Sequence, residues 1–246
     1  MDSGYYAACT GLRAQNQALE IIANNLANVS TTGYRGQKSS FQTLLASGPQ
    51  LRLSEVNHAI NDFNVLNEGA VDLNAGSLQR TGNQLDVAIE GDAFFAVQTP
   101  AGILYTRAGN FHVSAAGQLL TSAGDPVLGA QGQMTLPSGD AAISGDGTIS
   151  VNGAMVDQIR IARFPLGTAL ASVGNSYYAT NKSATPLPAP DARVRQGMLE
   201  DSNVSAVKAV VQLINVQRQA EMLQRAMSVF YSELNHTAAS DLPRVS

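Results

Sequence analysis

The apolar or small residues Ala206, Ala209, Leu213, Val216, Ala220, Leu223, Met227, Phe230 and Leu234 advance by strictly alternating steps of three and four. That spacing keeps one stripe on one side of an α-helix and is the signature of a heptad seam. A weaker copy runs through Tyr5, Ala8, Leu12, Gln15, Leu19, Ile22, Leu26 and Val29. Both ends of the chain are therefore expected to be long helices in need of a helical partner. Val207, Val210, Val211 and Ile214 lie beside the C-terminal seam. They add more apolar surface than one partner helix covers, which points to packing between copies as well as within the chain. The amides Gln15, Gln217, Asn24, Asn25 and Asn28 sit on or beside the seams. Buried amides lower stability but fix register and partner number, a property with little use in a monomeric helical hairpin.

Beyond Gly76 the period changes from 3.6 to 2. Leu85, Val87 and Ile89 alternate with Asp86, Ala88 and Glu90, and Gly91-Asp92 then leads into Phe94-Phe95-Ala96-Val97, which predicts a hairpin. Further short strands are expected at Leu104 to Thr106, Phe111 to Val113, Gln118 to Thr121, Pro126 to Leu128, Met134 to Leu136, Ala142 to Ser144, Thr148 to Val151 and Ile159 to Phe164. Asp146-Gly147 and Asn152-Gly153 supply the strongest turn dipeptides among them. The predicted fold class is α+β: long N- and C-terminal helices pairing as a coiled-coil-like domain, with a central all-β domain of antiparallel hairpins. The expected divisions are the N-terminal helix at 1–33, closed by the turn chemistry of Asn28 to Gly33; an extended arm at 34–75; the β domain at 76–182; a linker at 183–202 containing the run SATPLPAP; and the C-terminal helix at 203–246, with Asp201, Ser202 or Asn203 as its N-cap.

Composition narrows the function. The 246 residues are 44% apolar, enough for a core, but only 14% are charged; a typical share is about 25%, so surface is expected to be covered in an assembly. A net charge of −4 with only 15 Lys plus Arg offers no basic stripe for nucleic acid. No run of 18 apolar residues predicts a membrane span, and the Met1 to Leu12 stretch lacks the basic and apolar regions of a cleaved signal. Cys9 is the single cysteine and reads as a small packed residue. His58, His112 and His236 stand apart with no ligand or triad spacing, and no phosphate-binding or nucleophile-elbow motif occurs. Asp86, Glu90 and Asp92 form one acidic cluster, which strand alternation and a Gly-Asp turn already explain. No catalytic residue, cofactor or metal site is expected, so the chain reads as a non-enzyme.

Three separated motifs carry a family resemblance. Asn24-Asn-Leu-Ala-Asn-Val-Ser-Thr-Thr-Gly-Tyr34, behind an amphipathic helix, resembles the N-terminal signature of the bacterial flagellar rod and hook proteins. Thr81-Gly-Asn-Gln-Leu-Asp-Val-Ala-Ile-Glu-Gly-Asp92, then Phe94-Phe95 and Tyr105-Thr-Arg-Ala-Gly-Asn-Phe111, resembles that family's β-domain motif. Leu199-Glu-Asp-Ser-Asn-Val204 and the helix after it resemble the third block. Within the family, Val127 to Gly129, Met134 to Pro137 and Ala142 to Ile149 look most like members at the proximal end of the rod, with the distal rod as the alternative. Ala93 departs from the family pattern, which has glycine after Gly-Asp, so a turn there must avoid a positive φ.

The resemblance implies export through the flagellar type III apparatus without a cleaved signal peptide, followed by helical stacking in the periplasm into the rod that carries torque from motor to hook. It implies copies of the chain, neighbouring rod proteins and the export apparatus as partners, with terminal helices disordered before docking and no nucleic acid or small-molecule substrate. The assembly interface is expected at Leu12, Leu19, Ile22, Asn24, Asn25, Leu26, Asn28 and Val29 on the N-terminal side. On the C-terminal side it is expected at Val207, Val210, Leu213, Ile214, Val216, Leu223, Met227 and Phe230. Outside the family, the competing expectation is a secreted β-domain adhesin with a helical stalk.

Overall fold

The computed structural model describes residues 2–38, 70–165, 168, 170–180, 185–189 and 191–241. It divides the chain into a helical unit, Met1–Ala27 with Ser205–Ser246, and a second unit spanning Asn28–Val204. The helical unit contains α1, Asp2–Ala27, and α2, Ala206–Asp241. At 1.5 Å per residue these are about 39 and 54 Å long. α1 has no proline and few β-branched residues, so nothing interrupts it before Asn28. α2 starts at Ser205, whose carbonyl accepts from the Ala209 amide at 2.9 Å while its hydroxyl faces the Lys208 amide at 3.5 Å. The expected caps at 201–203 do not serve, because the Asn203 amide is committed elsewhere, as described below.

The second unit is antiparallel β throughout its described pairings. Its largest sheet has six strands in the order Leu170–Gly174, Tyr177–Thr180, Gly102–Thr106, Ala93–Thr99, Ile161–Arg163 and Leu187–Pro188. A three-stranded sheet joins Ala141–Ile143, Thr148–Val151 and Ala154–Gln158. Successive side chains of Ala93–Thr99 feed different cores, as a period of two requires. Ala93 and Phe95 join Val87, Leu119, Val127, Met134 and Ile149 in one cluster, where Phe95 meets Phe111 edge-on with centroids 5.1 Å apart. Phe94 and Ala96 join Tyr105, Ala162, Leu170 and Tyr178 in the other.

The structure departs from the predicted hairpin at Gly91-Asp92. Val87–Glu90 pairs with Arg193–Gln196 rather than with Ala93–Thr99. Gly91 takes the positive φ of 99°, so the connection turns out of one sheet and into another, and Ala93 lies unstrained and fully buried at the start of its strand. Because Val87–Glu90 is covered on both sides, Ala88 is as buried as Val87, which a half-buried alternating strand does not allow. The Pro-rich run behaves unlike a bare linker: Leu187–Pro188 adds an edge strand beside Ile161–Arg163, the sheet position proline tolerates. Strands Arg193–Gln196 and Met198–Glu200 follow it, the latter pairing with Leu78–Arg80. Gln37–Lys38 pairs with Ala70–Val71 at the two ends of the arm, and the arm between them lies outside the described residues.

Candidate assembly interface

Within the helical unit α1 and α2 pack on each other. Gly11 faces Leu223, whose Cδ1 would lie 3.4 Å from a Cβ added there, an ordinary contact distance. The burial sequence along α2 follows the heptad steps. Ala209 and Ala220 are buried, Leu213, Val216, Leu223 and Met227 are half-buried, and Ala206 at the first turn is exposed. On α1 the predicted positions Leu12, Gln15, Leu19, Ile22 and Leu26 are all half-buried, joined by their neighbours Gly11, Ala14, Ala18, Ile21 and Asn25 in a wider band. Gln15 and Leu223 share a shallow concavity with Gln219 and Met222. Asn24 is exposed, whereas Asn28 and Val29 are half-buried in the turn after α1. The side chain of Phe230 lies outside the described set.

Val207 and Ile214, expected beside the seam, fall instead on the other side of α2, with Val210 between that side and the seam; all three are exposed, Val207 to 75%. With about 100° per residue, Val207, Val211, Ile214, Met222 and Val229 form a stripe opposite the seam, and Arg218 and Arg225 complete its rows. Every apolar member of that stripe is exposed. The exposed side of α1 is different: Arg13, Asn16, Gln17, Glu20, Ala23 and Asn24 occupy it. Among the helix residues whose burial is described, the exposed large apolar side chains are on α2. A helix apolar on two opposite sides is suited to burial between neighbours rather than to a single partner.

In the second unit, the chain leaving α1 and the chain approaching α2 meet. Asn28 ends the first helix, its carbonyl accepting from the Thr31 amide and its side-chain oxygen from the Thr31 hydroxyl, each at 3.2 Å. Gly33 has φ 65° and donates to the Glu200 carbonyl at 2.7 Å; a Cβ there would overlap the backbone of Arg107 and Ala108. Asn203 holds both chains with one amide. Its Oδ1 accepts from Gly36 N at 2.7 Å, and its Nδ2 donates to the carbonyls of Asp72 and Asn74, both at 2.9 Å.

Beneath this contact lie Arg35, Arg107 and Glu200, each only 1% exposed. Arg35 Nη2 is 2.7 Å from Glu200 Oε1, and Arg107 Nη1 is 3.6 Å from Glu200 Oε2. Arg107 also donates to the carbonyls of Ile89, at 3.0 Å, and Gly91, and its guanidinium lies 5.3 Å above the Phe94 ring. Burial lowers the Arg107 pKa to about 10, the Glu200 charge opposing that shift and the Arg35 charge adding to it. Tyr178 OH accepts from the Arg35 amide at 2.7 Å, and its burial raises the phenol pKa. Sequence reasoning missed all three charged residues. Position was the one signal for two of them: Arg35 and Arg107 are each a lone charge inside or beside a motif of small and aromatic residues, Gly33-Tyr34-Arg35 and Tyr105-Thr106-Arg107-Ala108-Gly109, whereas Glu200, followed by Asp201, carried no such signal.

The acidic cluster is dispersed. Asp86 is buried and accepts from Asn83 Nδ2 at 3.1 Å, whereas Glu90 pairs at the surface with Arg195 at 2.9 Å. Among the described residues no group of His, Cys, Asp and Glu is arranged to hold a metal ion, and no helix is long and apolar enough to cross a membrane.

Comparison with known proteins gives three family matches in chain order. Residues 6–35 match the family described as flagella basal body rod protein, residues 88–151 the flagellar hook protein FlgE/F/G D1 domain, and residues 195–230 the flagellar basal body rod FlgEFG protein C-terminal family. Arg35, Arg107 and Glu200 fall one in each matched block. Among relatives, flagellar basal-body rod protein FlgF of Caulobacter vibrioides is 31% identical over 257 residues, covering 100% of both chains. FlgF of Rhizobium meliloti is 35% identical over 228 residues, covering 89% of each. The flagellar basal-body rod protein FlgG of Agrobacterium fabrum is 34% identical over 245 residues, covering 90% of this chain and 92% of its own.

Proposed function

Because this chain belongs to the flagellar basal-body rod protein family, we propose that its two terminal helices build the rod by packing against copies of the same chain and against neighbouring rod proteins. The protein is a structural component of the flagellar basal body and not an enzyme. In this reading α1 and α2 pair in coiled-coil fashion through the Leu12 to Leu26 and Leu213 to Met227 positions. The outer stripe of α2 takes the next subunit. The helices are the two halves of one assembly domain, 1–33 and 203–246, with the arm, β domain and linker at 34–75, 76–182 and 183–202 between them in the sequence. Stacked helically, such subunits transmit torque from motor to hook, and the family-like stretches at 127–129, 134–137 and 142–149 favour the proximal rod over the distal. Export through the flagellar apparatus without a cleaved signal, and assembly in the periplasm, complete the proposal.

The observation that carries it is the exposed apolar stripe on α2 opposite the seam. A Val, Ile or Met side chain contributes about 1.5–3 kcal/mol when fully buried. Left in water, such a stripe is an association hazard for a monomer. The double substitution Val211→Asp with Ile214→Asp tests this without touching the α1-facing seam. It is expected to leave the helical circular dichroism of the purified chain near wild type while removing the protein from isolated basal bodies. Normal incorporation would sink the proposed interface, and a wild-type chain absent from basal bodies would sink the function.

A further inference from the structure

Charge counting at the buried cluster gives an unequal result. Two guanidinium groups share one carboxylate, all three within the second unit and all three fully buried. Arg107 lies 3.6 Å from Glu200, donates to two carbonyls and faces a ring, although its Nε is buried without a hydrogen bond among the described residues. Arg35 holds the shorter ion pair but fewer partners. Among the described residues its side chain has Glu200 as its ion-pair partner, and its Nε and Nη1 are buried without a hydrogen bond. Removing one member of a buried ion pair is strongly destabilising when it strands a charge. Removing Arg35 strands none, because Arg107 remains beside Glu200, and it also relieves the repulsion between the two cations. Arg35 is thus poorly placed to be a stabilising residue.

Its location suits another task. Arg35 sits on the segment that leaves α1, and Glu200 on the segment that leads to α2. The pair lies under three hydrogen bonds between those segments: Gly33 N to the Glu200 carbonyl and Gly36 N to Asn203 Oδ1, both 2.7 Å, and Asn203 N to the Tyr34 carbonyl at 3.3 Å. We infer that Arg35 is a positioning residue for assembly: its ion pair with Glu200 fixes the segment after α1 in register against the segment before α2, at no gain in the stability of the β unit. Buried polar groups are best attested in such register-setting roles. The inference rests on the proposed use of the terminal helices in building the rod.

Arg35→Met and Glu200→Gln in the full chain separate this role from a stabilising one. Glu200→Gln leaves two unpaired cations and is expected to lower Tm by about 8 °C or more. Arg35→Met is expected to leave Tm within about 3 °C of wild type. Its effect should appear instead as at least about tenfold faster hydrogen exchange at the Gly33 and Gly36 amides, together with loss from isolated basal bodies. Arg35→Lys, which restores a cation, should recover protection and incorporation in part. A fall in Tm for Arg35→Met matching that of Glu200→Gln would overturn the inference. So would unchanged exchange at both glycines, normal incorporation of Arg35→Met, or no recovery with Arg35→Lys. Because exchange is measured on the isolated chain, its outcome stands apart from whether the wild type enters the rod.

Discussion

Tyr177 donates its phenolic proton to Asp125 Oδ2 at 2.8 Å and meets Thr121 Oγ1 at 2.7 Å. Burial, with the Asp125 carboxylate adding to it, raises its pKa from 10.0 to about 12. Burial also raises Tyr34, Tyr105 and Tyr178. A phenol with a raised folded-state pKa contributes stability that is fully present below its unfolded value near 10 and is lost as pH climbs through the folded value. Arg107 acts in the opposite sense: with a folded value lowered to about 10, below its unfolded value, it adds stability over the same range. Four tyrosines oppose one arginine, so urea unfolding should show a stability that falls above about pH 10. Tyr177→Phe should make that fall shallower, and a wild-type stability that stayed flat or rose to pH 12 would contradict the burial of these phenols. Such details were only partly legible in the sequence. The strain question at Ala93 was visible and is answered by Gly91, which adopts the positive φ in its place. The charges at Arg35, Arg107 and Glu200 were hidden because they pair across more than ninety residues between Arg107 and Glu200, beyond any local pattern.

At the scale of elements, periodicity served the helices best. The three-four steps of α2 reappear as its burial sequence, because an amphipathic helix stores its partner's direction in its own spacing. The same spacing also marks the surplus at Val207, Val210, Val211 and Ile214, all of which are exposed. Strands were harder. Thr148–Val151 appears with the predicted limits, but the Leu170–Gly174 and Tyr177–Thr180 hairpin was absent from the prediction. Its turn runs through Gly174, Asn175 and Ser176, all with positive φ, and Ser176 is an unusual residue for that conformation. Partner choice was harder still, since Val87–Glu90 pairs with a strand a hundred residues away rather than with its neighbour. The seam yields its own prediction. Leu223 packs near Gly11 of α1, so Leu223→Asp, like Leu213→Asp, should abolish incorporation into the rod. The β signature in circular dichroism of the purified chain should persist, as expected for a separate compact unit. Loss of both signals together would show that the two units do not fold independently.

For the whole molecule, the low charge, the termini patterned for helices and the dispersed acidic residues describe one kind of protein. Among the described residues no group of His, Cys, Asp and Glu is arranged to hold a metal ion. What they provide is a β unit closed by a buried charge cluster and a helical unit with apolar surface left over. Rigidity and register, rather than chemistry, are what a rod subunit needs from its sequence. The direct test is a side-chain-resolution density map of isolated basal bodies from cells carrying this chain as their copy of the protein. The chain should lie in the rod, with Val207, Val211 and Ile214 of α2 covered by another subunit. A rod without this chain, or one in which that stripe faces solvent, would contradict assembly through the terminal helices.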